Sequence, residues 1–142
     1  MKRLLAFGLL LVAGCSDKEE VARVPDDAYR YFLVSSLTEN FVVRTSDPAV
    51  LQVADSLLAL PAESRNMLVI GPIDRGDEGY NRPWNWHFKT NQWTFAEVAI
   101  ELCDGMPSYV HQHLDEWLDT VGSYCPWSSR LEKELLPGEP LP

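Results

Sequence analysis

The sequence predicts a single α+β domain: a small antiparallel sheet of four to five strands with about three helices packed on one face. Three observations carry this. Two runs rich in aromatic and β-branched residues, 29–34 (YRYFLV) and 41–45 (FVVRT), stand either side of a short polar break. Trp84, Trp86 and Phe88 alternate with Asn85, His87 and Lys89, the period of a half-buried strand. Three stretches repeat apolar residues at helical spacing, each with a start signal. The order β-β-α-β-β-α-α-β places the helices against one face of the sheet.

The N-terminus comes first. Lys2 and Arg3 precede an apolar run, residues 4–13, too short to span a bilayer as a mature helix. Val12-Ala13-Gly14-Cys15 matches the bacterial lipobox, so residues 1–14 read as a lipoprotein signal peptide and Cys15 as the lipidated residue. Each buried CH₂ contributes about 0.8 kcal/mol, and stable anchoring takes about two acyl chains. The expected location is the cell envelope, with Cys15 holding the protein to a membrane. In a Gram-negative host Ser16, standing where Asp would favour inner-membrane retention, points to the outer membrane, facing the periplasm or the surface. Residues 15–27 are polar and read as a flexible tether.

The domain proper spans residues 28–134. The two opening strands make a hairpin. Asp47-Pro48 starts a helix, with Asp47 capping free N–H groups and Pro48 at a position where the missing N–H costs nothing. Val50, Val53, Ala54, Leu57 and Leu58 form its stripe, and Pro61 ends it. Residues 66–73 (NMLVIGPI) read as a strand and 75–83 (RGDEGYNRP) as a loop. Thr94-Phe95-Ala96-Glu97 fits a capping box for a helix whose core face would be Phe95, Val98, Ala99 and Leu102. After Asp104-Gly105, Pro107 starts a helix through Val110, Leu114, Trp117, Leu118 and Val121, with Gly122 as its C-terminal cap. Residues 125–132 alternate, with Trp127, Ser129 and Leu131 on one face, and read as the last strand. Residues 135–142 are a Pro-rich tail, expected to be loose.

Composition narrows the function. The formal charge is −9, from 12 Lys and Arg against 21 Asp and Glu; losing Lys2 and Arg3 with the signal peptide takes it to −11. Such a body favours neither nucleic acid nor an anionic lipid surface. Cys103 and Cys125 would sit in an exported chain, where disulfides persist, and two thiols allow one bridge. Buried free thiols, or a metal site recruiting His111 or His113, are the alternatives. No cofactor motif is present, and neither a cofactor nor a metal is expected.

Residues 81–88 (NRPWNWHF), 95–104 (FAEVAIELCD), 107–116 (PSYVHQHLDE) and 125–131 (CPWSSRL) resemble one family. It is the N-terminal domain family of a slime-mould calmodulin-binding protein, also widespread in secreted bacterial proteins. Residues 31–36 (YFLVSS) and 39–48 (ENFVVRTSDP) are similar to its opening hairpin and helix start, so the resemblance covers nearly the whole domain. Trp86 stands where the family more often has Phe. The resemblance implies the fold; its bacterial members bring no established activity, and calmodulin is not expected as a partner in a bacterium.

The candidate binding cluster is His87, Glu101, Asp104 and Arg130. Such a set could do acid–base work or form a structural ion-pair network, the preferred reading. Arg75-Gly76-Asp77 is a chance adhesin tripeptide in a loop, Asp74, Asp77 and Glu78 lack EF-hand spacing, and His111 and Asp115 share a helix face at i, i+4. The function read from all this is a lipid-anchored binding or interaction module for an unknown protein or small molecule. The alternatives are a peptidase inhibitor using residues 76–83 and, behind it, a hydrolase using His87 with a carboxylate.

Overall fold

The structure is a computed structural model that describes residues 20–142. The signal peptide, Cys15 and the first part of the tether lie outside the described residues. Among those described, no helix is long and apolar enough to cross a membrane.

The architecture is α+β, with seven strands in three small antiparallel sheets among the described residues. Strands β1 (Arg30–Ser36), β2 (Glu39–Thr45) and β7 (Ser129–Leu135) form the largest, in the order β2-β1-β7. β3 (Leu68–Ile70) pairs with β6 (Thr94–Ala96), and β4 (Ile73–Arg75) with β5 (Trp86–Phe88). The sequence expectation of one continuous sheet fails at Gly71-Pro72. Gly71 exchanges both backbone hydrogen bonds with Tyr124, and a Cβ there would lie 2.7 Å from the Trp93 backbone, so the strand turns aside after Ile70.

Helix α1 (Pro48–Leu58) forms as expected. The Asp47 carboxylate accepts from the Ala49 and Val50 N–H groups, and Val50, Ala54 and Leu57 are buried. The helix expected from Pro107 to Val121 is broken. α2 (Pro107–Gln112) stops at His113, whose Nδ1–H donates to the Tyr109 carbonyl while its ring stacks on Tyr109 at 4.0 Å. A short α3 (Leu114–Glu116) and a π turn (Trp117–Val121) follow. Gly122, at φ 76°, closes it as a left-handed cap.

The helix predicted from the Thr94 capping box does not form. Trp93 and Phe95 are buried and Thr94 between them is exposed, the burial of a strand, and Phe95 sits opposite Val69. A four-residue local signal loses here to pairing and burial of two aromatics. Residues 97–100 run on outside regular structure, and only the 3₁₀ turn Glu101–Cys103 is helical. The last strand is also shifted: it starts at Ser129, so Trp127 precedes it and is exposed instead of sharing the buried face of Ser129 and Leu131.

Both faces of the β2-β1-β7 sheet are covered. Phe32, Val34, Phe41, Val43 and Leu131 face a core shared with α1, Trp86, Phe88, Trp117 and Tyr124. Tyr31, Val42 and Leu135 face Val24, Tyr80 and Leu141. The second layer corrects the expectation of a loose tail and tether. Val24 N–H donates to the Glu139 carbonyl and Leu141 N–H to the Ala22 carbonyl, so residues 22–24 and 138–141 pair across the sheet.

The outer edge of β2 is closed by side chains in place of a strand. The Asn81 amide oxygen accepts from Val42 N–H at 2.8 Å, Trp84 Nε1 donates to the Asn40 carbonyl at 2.8 Å, and Trp93 Nε1 to the Arg44 carbonyl at 2.9 Å. At β7, the Arg65 guanidinium donates to the Leu131 and Glu132 carbonyls. Edges satisfied in this way cannot template a further strand.

Candidate functional site

A cleft of about 550 Å³ opens between the β1–β2 hairpin tip, the start of β3 and the entry to β7. Leu37, at φ 54°, stands at the hairpin tip and is 73% exposed. Arg65 and Met67 line the floor, Glu97 one side, and Trp127, Ser128 and Arg130 the other. The Trp127 side chain is 48% exposed. A smaller hollow of about 270 Å³ continues from it over Leu68, Glu97, Val98 and Ala99, with Trp127 as the shared wall.

The backbone carrying Trp127 is fixed from several sides. Cys103 and Cys125 lie at disulfide distance, with Cα atoms 5.1 Å apart, and Cys125 N–H donates to the Cys103 carbonyl at 2.8 Å. Trp127 N–H donates to the Asp104 carboxylate at 2.8 Å. The Ser129 hydroxyl accepts from Val69 N–H, and the Ser128 and Ser36 hydroxyls are 2.8 Å apart. Beneath lies Tyr124, its phenol donating to the Gly105 carbonyl and its pKa pushed well up by burial, with the Asp104 and Glu39 charges adding. An indole on a turn held this way keeps its place with little entropy left to lose on binding.

The chemistry of the cleft is recognition. Its serines bond to structural partners rather than to a base, and no histidine is among the described residues that line it. Arg130 pairs with Glu132 at 3.4 Å, and Arg65 spends its donors on main-chain carbonyls. What remains for a ligand is an indole face, apolar Leu37 and Met67, and the Glu97 carboxylate, which has no basic partner among the described residues.

The family profile of the N-terminal domain of the slime-mould calmodulin-binding protein matches residues 28–138, most of the chain. The chain belongs to that N-terminal domain family. No curated protein and no solved structure matches it.

This member of the calmodulin-binding-protein N-terminal domain family places the sequence-predicted residues apart. His87 is 8% exposed, and its Nδ1–H donates to the Gly76 carbonyl at 2.8 Å beside the Tyr80 ring. Asp104 holds Trp127, Arg130 holds Glu132, and Glu101 is exposed. Among the described residues no hydrogen bond or ion pair joins any two of His87, Glu101, Asp104 and Arg130. A general base needs a substrate proton within hydrogen-bond reach; the His87 ring is instead covered by the 76–83 loop.

That loop is tucked in by Tyr80 and Asn81, both buried. Arg75 of the adhesin-like tripeptide pairs with Asp115, and Asp77 accepts from Gly79 N–H and lies 3.5 Å from Arg82. His111 and Asp115 line a second cleft of about 390 Å³ with Arg75 and Asn85, where Asn85 N–H donates to His111 Nδ1. Trp127 is the residue the sequence reading misplaced. Its signal was Pro126 directly before it, which argues against regular pairing at that point.

Proposed function

We propose that this domain is a lipid-anchored extracytoplasmic binding module, tethered through Cys15, that takes its ligand in the Trp127 cleft. The observation that carries this is an exposed tryptophan on a turn clamped by the Cys103–Cys125 pair, Asp104 and Ser129. Large aromatic side chains on rigid backbones dominate binding energy at interfaces. The lipobox and the apolar run before Cys15 support the anchor.

Two experiments test the reading. A photoreactive amino acid at Trp127 in intact cells is expected to give a discrete adduct that the same probe at exposed Glu63 does not give. Equal labelling at both sites would remove the cleft as the binding face. Cys15→Ala is expected to leave the membrane fraction, and unchanged membrane partition would remove the anchor. Peptidase inhibition is a second reading, supported by the turn at Asp77–Gly79 standing exposed on a loop stapled by Asn81. A panel of serine, cysteine and metallo-peptidases showing no inhibition would eliminate it.

A further inference from the structure

The two-stranded sheet β3-β6 has one edge that none of the described residues covers. Val69 N–H donates to Ser129, and Gly71 exchanges its hydrogen bonds with Tyr124, so alternate residues of this strand point their backbone groups away from β6. Antiparallel pairs alternate between bonded and non-bonded positions. Phe95, opposite Val69, therefore turns its own N–H and C=O outward, away from β3. Neither group has a hydrogen-bond partner among the described residues, and residues 97–99 make no backbone hydrogen bond there either. This contrasts with the closed edges of β2 and β7.

The segment after β6 is built like an edge as well. Ala96, Ala99 and Cys103 pack toward Leu68 and Cys125. Val98, Ile100 and Leu102 point out, 82%, 69% and 64% exposed. An apolar strip of this kind beside unpaired backbone marks an interaction site. Glu97 and Glu101 stand along it, and neither has a basic partner among the described residues.

We propose that the outer edge of β6 and residues 97–102 bind a partner polypeptide as an added strand, one that alternates apolar and basic side chains. The proposal rests on the reading of the Trp127 face as the binding face, since Glu97 and Trp127 belong to both the cleft and this edge. Main-chain hydrogen bonds to Phe95 supply affinity, and side-chain pockets supply choice, as in strand addition generally. Charge selects the occupant. Opposite charges across a strand pair stabilise and like charges destabilise, and the chain's −9 charge draws basic segments toward it. A second copy of this chain fits poorly: antiparallel pairing about Ala99 sets Glu97 against Glu101 of the copy.

The test uses the full chain in detergent micelles and peptides of about eight residues. One alternates lysine and valine, one alternates glutamate and valine, and one is the lysine–valine peptide methylated on alternate backbone nitrogens. Binding is read by fluorescence anisotropy and by hydrogen exchange over residues 94–102. The lysine–valine peptide is expected to bind and to slow exchange at 94–102, weaken at least tenfold when methylated, and weaken with salt. In the Glu97→Lys, Glu101→Lys variant, whose changes are on solvent-facing side chains, preference is expected to reverse toward the glutamate–valine peptide. Binding that shifts signals only at Ser128–Arg130 and ignores methylation overturns strand addition and leaves the cleft standing. No binding by any peptide up to about millimolar concentration, or a dimer formed through residues 94–102, also overturns it. Failure of the cleft itself reads differently: no adduct at Trp127 in cells while the peptides still protect 94–102.

Discussion

Asn81 replaces a strand at one point of the β2 edge. Its amide oxygen accepts from Val42 N–H and its amide nitrogen donates to the Trp86 carbonyl, both at 2.8 Å, and the side chain is fully buried. Asn81→Ala strands both main-chain groups away from water. Leaving a buried group unpaired costs about 1–3 kcal/mol, so the variant is expected to lose roughly 2–4 kcal/mol in urea denaturation; a loss within experimental error would mean that water reaches this edge. Tyr80, next in the chain, has its phenol pushed up to about 12, by burial first and against the pull of the Arg44 guanidinium, which lies 4.7 Å from its ring. The folded chain thus holds this proton to higher pH than the unfolded chain, whose phenol titrates near 10.0. Stability from it is complete below pH 10 and is lost as pH rises toward 12. Tyr31 and Tyr124, raised chiefly by burial, add in the same direction. The urea midpoint is expected to fall across this window, and Tyr80→Phe to flatten the fall; a midpoint constant from pH 10 to 12 would contradict the assignment.

At the scale of elements, what the sequence displayed was whatever its neighbours in sequence decide. Asp47-Pro48 and the stripe behind it sit within one helix, and α1 formed as written. The hairpin of β1 and β2 needed only a short turn. β6 depends on β3, more than twenty positions back, and that pairing overrode a well-formed capping box. The His87 set failed for the same reason: which side chains meet across a fold is set by long-range packing that residue spacing does not encode. The cysteines were legible because two thiols permit one bridge. Their partnership now has a sharper consequence than the expected tie between a helix end and a strand. It fixes the unpaired segment 97–102 to the turn carrying Trp127. Reduction, or Cys103→Ser, is expected to cost roughly 2–5 kcal/mol, with hydrogen exchange rising first in residues 97–104. Both thiols titrating free in protein taken from the envelope would refute the bridge, and exchange rising first in α1 would refute its local role.

At the scale of the whole molecule, the two ends of the described chain meet. Residues 22–24 and 138–141 pair, and with Tyr80 they cover the sheet face of Tyr31, Val42 and Leu135. Leu141 is 9% exposed, and burying a leucine contributes about 1.5–3 kcal/mol. Removing residues 137–142 takes away that side chain, the strand-like hydrogen bonds to Ala22 and Val24, and the bond from Arg23 to the Gly138 carbonyl. The truncated protein is expected to be less stable by roughly 2–4 kcal/mol, and Leu141→Ala by about half of that. The same pairing bears on the proposed anchor. Seven positions separate Cys15 from Ala22, which fully extended reach at most about 25 Å; with the tail docked, the domain cannot stand farther than that from its lipid. Undocked, the chain is free back to β1 at Arg30, fifteen positions from Cys15, and the ceiling rises to about 50 Å. Energy transfer from a dye on an introduced cysteine at Glu63 to labelled lipid is therefore expected to weaken in the truncated protein at a temperature where circular dichroism still reports a folded sheet. Equal transfer in the two proteins, with both folded and both lipidated, would show that residues 22–24 do not need the tail to stay on the sheet.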